Sequence, residues 1–356
     1  MPELSRWSHV ERELFCADAD WVIHHAISSE GNDAWAAVLG LALGGQMARI
    51  THEGLALLRQ QDVNASKSFE LRHSSQIAIA RHSTKLLDNS SASLDELVTL
   101  FRQTLTSHQQ VFGDKNIAIV SHERRVYYST LMAAYEGLAG DPNNSGRPSQ
   151  PSLEYNIADE MGRTIGALCQ SFGRQLILPQ TLLELRPVSP EIATHDADKF
   201  LMGRFPGTTV GHAALLLSVE GATSSALNLF EDAQESHTTA VFRAQWVVAS
   251  HALSAVRKIA DNPQTALSAT AQDHVNAVYQ SRTSQQLLQS RILRNHCMHY
   301  GIAPNLESLS TDRPAFGLVE ATSSFSFPEA RQIVRTTLRS ISDMLLAWPR
   351  GAKPVH

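Results

Sequence analysis

Arg294, Asn295 and His299 stand in the stretch Arg291-Ile292-Leu293-Arg294-Asn295-His296-Cys297-Met298-His299-Tyr300-Gly301. It crowds two cations, an amide and two imidazoles into about three helical turns. An arginine keeps its charge and can offset charge that builds on phosphoryl oxygens. An imidazole titrates near neutrality and can carry the proton of a hydroxyl or leaving group. Five helical positions separate Arg294 from His299, about 7.5 Å along an axis, which suits a cation and a base on either side of a phosphodiester. Asn295 can hold the histidine or the phosphate in place. Acid–base catalysis of this kind is worth on the order of 10²–10⁴ in rate and needs neither metal nor cofactor.

A helix must carry these groups. The run Ser284–Leu293 has no Gly or Pro and is rich in Gln, Leu and Arg, and Gly301 and Pro304 supply stop signals. The reading is one helix over 283–300. At 100° per residue Leu293, Cys297 and Tyr300 form an apolar stripe, and Arg291, Asn295 and His299 lie opposite, flanked by Arg294. A solvated basic face ending in histidines at a helix C-terminus is the plainer reading of the same pattern.

The rest of the chain reads as helical. Its 356 residues are 43% hydrophobic and 6% aromatic, which favours helices over sheets and allows a substantial core. Helices are expected at about 8–29, with Ser8 and Glu11 as a capping box, 34–61, 66–87 and 93–110, the last opened by Ser93 with Glu96. Others are expected at 123–138, 157–172, 209–233, 236–261, 268–281 and 328–348. Ile117–Val120 is short and β-like. Residues 140–151 hold three prolines and two glycines and read as a linker. The expected architecture is all-α: an N-terminal helical domain over 1–140, a linker and connecting helix over 141–207, and an up-and-down bundle over 208–350.

The formal charge of −5 argues against a broad surface that tracks nucleic acid, though not against a small basic site. Cys16, Cys169 and Cys297 lack disulfide or zinc spacing, which fits a reducing compartment. No apolar run is long enough to span a bilayer, and the N-terminus lacks signal-peptide character. The expectation is a soluble cytoplasmic protein.

The order Arg294-Asn295-x-x-x-His299, late in a helical bundle, resembles the HEPN superfamily, whose signature is an arginine followed after four to six residues by a histidine, often with Asn directly after the arginine. The resemblance covers roughly residues 208–350. It implies a metal-independent endoribonuclease in which the ribose 2′-hydroxyl attacks the adjacent phosphorus and leaves a cyclic phosphate. It also implies a homodimer in which two copies of the motif face one cleft, and a role as a toxin or anti-phage effector. RNA would be the substrate, and a protein or ligand at the N-terminal domain the regulator. Some members of the superfamily are inactive partners, so a non-catalytic scaffold for dimerisation or protein binding is the alternative.

Arg291 to His296 and Arg102 to His108 match the bare spacing without a favoured residue after the arginine. Arg291, His296 and Tyr300 are therefore second-choice site residues. His195-Asp196 has the doublet of a metal-dependent phosphohydrolase, against the plainer reading of a helix cap. Glu70-x-x-His73 has one half of a di-iron spacing, and His24-His25 reads as a buried-edge pair. Arg124-Arg125 and the Arg331, Arg335, Arg339 series read as solvated faces, the latter able to border the nuclease groove.

Overall fold

The computed structural model describes residues 8–28, 34–86, 94–113, 115–136, 153–176, 189–230, 237–263, 265–303, 306 and 309–348. The proposed linker and Ser93 lie outside them. Fifteen α-helices and one small sheet are found among the described residues, so the chain is all-α in class. No described helix is long and apolar enough to cross a membrane.

The first layer is built from α1 (Ser8–Ser28) and α2 (Ala34–Gln61), which pack on each other and on α7 (Leu153–Ser171). A one-turn α3 (Val63–Ser66) leads through a loop to α4 (Ser74–Leu86), which lies along α2. The expected helix over 66–87 is therefore interrupted: Asp62 caps α3 through the amides of Asn64 and Ala65, and Glu70 and His73 sit in the loop. Glu11 does not close a capping box. It accepts the amide of Ile302 at 2.9 Å and Nε2 of Gln61 at 3.1 Å, which fastens the chain just after the candidate site to α1.

After α5 (Leu94–Phe112) comes the sheet, with β1 (Asn116–His122) between β2 (Arg125–Ser129) and β3 (Glu191–Asp196), all neighbours antiparallel. The expected helix over 123–138 is instead β2 followed by α6 (Thr130–Tyr135). Its hairpin turn is Glu123-Arg124, both with positive φ. Such two-residue turns normally advertise themselves by Asn or Gly, and neither is present. Arg125 is correspondingly no solvated-face residue: it binds Asp343 Oδ1 at 2.6 Å and the Ser342 hydroxyl.

β3 runs into α8 (Ala197–Arg204), and α9 (Val210–Asn228) crosses behind β2 and meets α5. Gly211 and Gly221 permit these approaches, since a Cβ would stand 2.6 Å from the Val98 side chain of α5 and 3.1 Å from the Tyr127 carbonyl of β2 respectively. The central helix α10 (Thr238–Ala260) touches α1, α9 and α15 (Phe327–Ala347), with α11 (Ala269–Gln280) and α12 (Arg282–Gln289) beside it. Ser326 and Glu329 form a capping box at the start of α15. Buried side chains from both the expected N-terminal domain, such as Phe15, Leu43 and Ile50, and the expected bundle, such as Leu216, Trp246 and Leu338, join one core.

The stretch expected as one helix over 283–300 is two. After α12 the chain breaks at Ser290 (φ −84°, ψ 51°) and restarts as α13 (Arg291–Met298), which ends before His299. No Gly or Pro marks the break, so helix propensity had nothing to register.

Candidate functional site

Leu293, Cys297 and Tyr300 are fully buried, as the apolar stripe requires. What holds them is a charged cluster that helical periodicity does not reveal. Asp18 Oδ2 accepts from Arg49 Nη2 at 3.0 Å, Arg243 Nη1 at 2.8 Å and the Tyr300 hydroxyl at 2.9 Å. All four side chains are buried, and the Arg243 guanidinium lies 4.8 Å from the Tyr300 ring centre. Burial and the neighbouring Asp18 carboxylate push the Tyr300 hydroxyl well above its ordinary range, so it remains a donor.

The same arginines terminate α13. The last carbonyls of any helix lack intrahelical partners and carry its negative dipole end. Here Arg49 Nη1 reaches the Cys297 carbonyl at 3.3 Å, and Arg243 Nη2 reaches those of His296 at 3.2 Å and His299 at 3.4 Å. Helices α1, α2 and α10 thus decide where α13 stops.

Released from the helix, His299 is extended (φ −117°, ψ 159°) and turns its ring toward α2. Its Nδ1 lies 2.6 Å from Glu53 Oε2, and its side chain remains 44% exposed. Glu53 is buried and also takes the Arg81 guanidinium, with Arg81 Nε at 3.0 Å and His52 Nδ1 at 3.4 Å from Oε1. Burial opposes its ionisation, but the hydrogen bonds from His299 and Arg81, with the His52 imidazole close by, outweigh it and hold the carboxyl far below the usual range.

Arg294 and Asn295 remain on α13, half-buried and exposed respectively, with Arg294 Nη2 donating to Asn295 Oδ1 at 3.2 Å. Arg294 lines a recess with Arg257, Lys258, Arg291 and Tyr279, a volume of about 790 Å³ counting the solvent at its mouth. Among the described residues four cations and no carboxylate line it. His299 is not part of this wall. The expectation that Asn295 and His299 share one helical face gives way to a cation-lined recess beside α13 and an imidazole set against α2.

His296 is buried, with Nδ1 3.2 Å from the Gly301 carbonyl, and burial lowers its pKa. Asp196 caps α8 through the Lys199 amide at 2.9 Å, and His195 stacks on Phe200 with ring centres 4.7 Å apart. Among the described residues no group of three or more His, Cys, Asp or Glu is arranged to hold a metal ion. The Glu70 and His73 pair belongs to a loop in which the His73 amide donates to Glu160 at 2.8 Å. Arg102 is exposed on α5, while the His108 side chain lies outside the described residues. Arg331, Arg335 and Arg339 lie on α15, which packs against α12, and none lines the recess.

Sequence reasoning missed Asp18, Arg49, Glu53, Arg81 and Arg243. A signal existed for two of them: Arg49 and Arg243 interrupt the runs Met47-Ala48-Arg49-Ile50 and Val241-Phe242-Arg243-Ala244, where an arginine must be paired if buried. Comparison with protein-family models, curated proteins and solved structures gives no match.

Proposed function

We propose that this chain is a metal-independent endoribonuclease of HEPN type, acting as a homodimer with a composite site and serving as a toxin or anti-phage effector. The observation that carries the reading is His299: Nδ1 is engaged by a buried carboxylate while much of the ring stays open to solvent. A carboxylate on one ring nitrogen fixes the imidazole's orientation and leaves the other nitrogen for proton transfer. In the proposed reaction His299 takes the ribose 2′-hydroxyl proton as its oxygen bonds to the adjacent phosphorus. The bond to the 5′-oxygen breaks, that oxygen takes a proton from a His299 imidazolium of the composite site, and a 2′,3′-cyclic phosphate remains. Arg294, with the cations around it, offsets the charge on the phosphorane oxygens. Two such basic recesses facing each other in a dimer would give an overall acidic chain a locally positive groove.

The N-terminal helices enter this reading as the groups that hold the base, through Asp18, Arg49 and Glu53. A partner or ligand that shifts α1 against α2 would therefore control the site. The test is incubation of the purified protein with RNA in EDTA. Cleavage that persists in chelator, and is lost in Arg294→Ala and in His299→Ala, supports the proposal. Intact RNA with the wild-type protein sinks it.

One observation favours a second reading, a non-catalytic scaffold. The Glu53–His299 pair also works as a lock between α2 and the end of α13, and a lock needs no substrate. A stable dimer that leaves RNA intact and loses stability in His299→Ala would select it.

A further inference from the structure

A second recess is enclosed by α2, α4, β2, α6, α9 and α10. Its interior leaves about 80 Å³ for the centres of water-sized groups, and about 790 Å³ when the solvent at its mouth is included. The walls are largely aromatic and aliphatic, with Tyr127, Tyr128, Tyr135 and Phe230 among them and Gln46, Thr84 and three serines interspersed. Gly45 and Gly221 keep the helices close: a Cβ at Gly45 would stand 2.6 Å from the Thr84 methyl.

One carboxylate interrupts this lining. Glu136, at the end of α6, accepts the Tyr128 hydroxyl at 3.0 Å and has no cationic partner among the described residues. Among the described residues no Lys or Arg lines the recess and His251 is its one histidine, with Nδ1 2.5 Å from the Thr84 carbonyl. Tyr135 is buried against Phe101, ring centres 4.2 Å apart, and its hydroxyl has no hydrogen-bond partner among the described residues. A half-buried carboxyl without a cation beside it and a buried, unmatched hydroxyl both gain from a group that completes them.

We propose that this recess binds a small, mainly apolar organic amine, whose ammonium pairs with Glu136 and donates to the Tyr135 hydroxyl. The chemistry of the lining selects that class. An anion would meet a carboxylate with no cation to offset it, and a purely apolar ligand would leave both polar groups unmatched. An ammonium satisfies the carboxylate, and tyrosine rings are suitable neighbours for an organic cation. Burial pushes the free Glu136 carboxyl up to about 7, against the Tyr128 hydrogen bond, so a cationic guest would restore its charge. This site is independent of the RNA-cleavage reading.

The experiment is isothermal titration of the full chain with phenethylamine and, as its neutral counterpart, 2-phenylethanol. The amine should bind at least ~10-fold tighter than the alcohol, as expected of a desolvated charge-assisted contact. Glu136→Gln should bring the amine down to the alcohol's affinity and leave the alcohol unchanged. Equal affinities in the wild type, no binding of either, or an amine affinity untouched by Glu136→Gln would overturn the proposal. If Glu136→Gln lowers the melting temperature enough to obscure binding, Ala222→Leu, which fills the recess from α9, carries the test. Abolished amine binding with an unchanged circular dichroism spectrum supports the site, and unchanged binding overturns it.

Discussion

Glu53 and His299 are 246 positions apart in sequence and 2.6 Å apart in the fold, joining α2 to the residue that ends α13. The contact exists because Arg49 and Arg243 draw off the last carbonyls of α13, so that the chain leaves the helix at His299 and the ring swings toward α2. A histidine kept on the helix would have faced solvent beside Arg294.

Glu53→Gln therefore separates orientation from chemistry. RNA cleavage in EDTA should fall by about 10- to 100-fold, while His299→Ala falls to background, since general acid–base catalysis is worth about 10²–10⁴. Equal losses in both variants would mean that the carboxylate does more than orient the ring. Full activity in Glu53→Gln would remove it from the site.

The Asp18 carboxylate is shared by two buried guanidiniums, those of Arg49 and Arg243. Removing one partner of a buried ion pair leaves uncompensated charge and costs about 3–5 kcal/mol. Asp18→Asn should lower unfolding free energy by about that amount in urea, with an unchanged m-value. A loss under ~1 kcal/mol would show that the arginines find other partners.

Tyr300→Phe keeps the ring beneath Arg243 and deletes only the hydrogen bond to Asp18. Bonds to charged groups contribute about 1.5–3 kcal/mol, so the loss should be a fraction of that in Asp18→Asn. A double-mutant cycle between the two positions should give a coupling energy above ~0.5 kcal/mol.

His24, His25 and His237 form a cluster between α1 and the start of α10, with ring centres 5.1 to 6.2 Å apart. Burial, with the neighbouring imidazoles, lowers His25 and His237 to about 4, and burial lowers His24. The unfolded chain takes up these protons from about pH 6.5 downward while the folded chain does not. Stability should therefore fall as pH drops from about 6.5 to about 4, on the order of 3 kcal/mol for each of His25 and His237. Urea melts at pH 7, 5.5 and 4.5 measure this, and His237→Gln should flatten the slope. A flat wild-type profile would contradict it.

Arg291 and Arg257 line the cationic recess without touching His299. If RNA phosphates sit there, Arg291→Ala should weaken binding of catalytically dead His299→Ala protein to all RNA sequences alike. The slope of log affinity against log salt should shrink by about 0.7 to 0.9. An unchanged slope would place the phosphates elsewhere.

The chain's own residues determined the helical class, because period-3.6 patterns recur along α7, α10 and α15 and stretches without Pro interruption build the other helices. They also determined the buried stripe of Leu293, Cys297 and Tyr300, which follows from angle alone. The Glu123-Arg124 hairpin and the break at Ser290 were illegible, since neither carries the Gly, Asn or Pro that announces such a bend. Tertiary structure alone decided which way His299 points. That choice depends on carboxylates and guanidiniums from α1, α2, α4 and α10, whose meeting is a matter of packing over hundreds of residues. Local spacing sets the angle of a side chain only while the helix lasts. Here the helix ends one residue too soon, because buried cations claim its carbonyls.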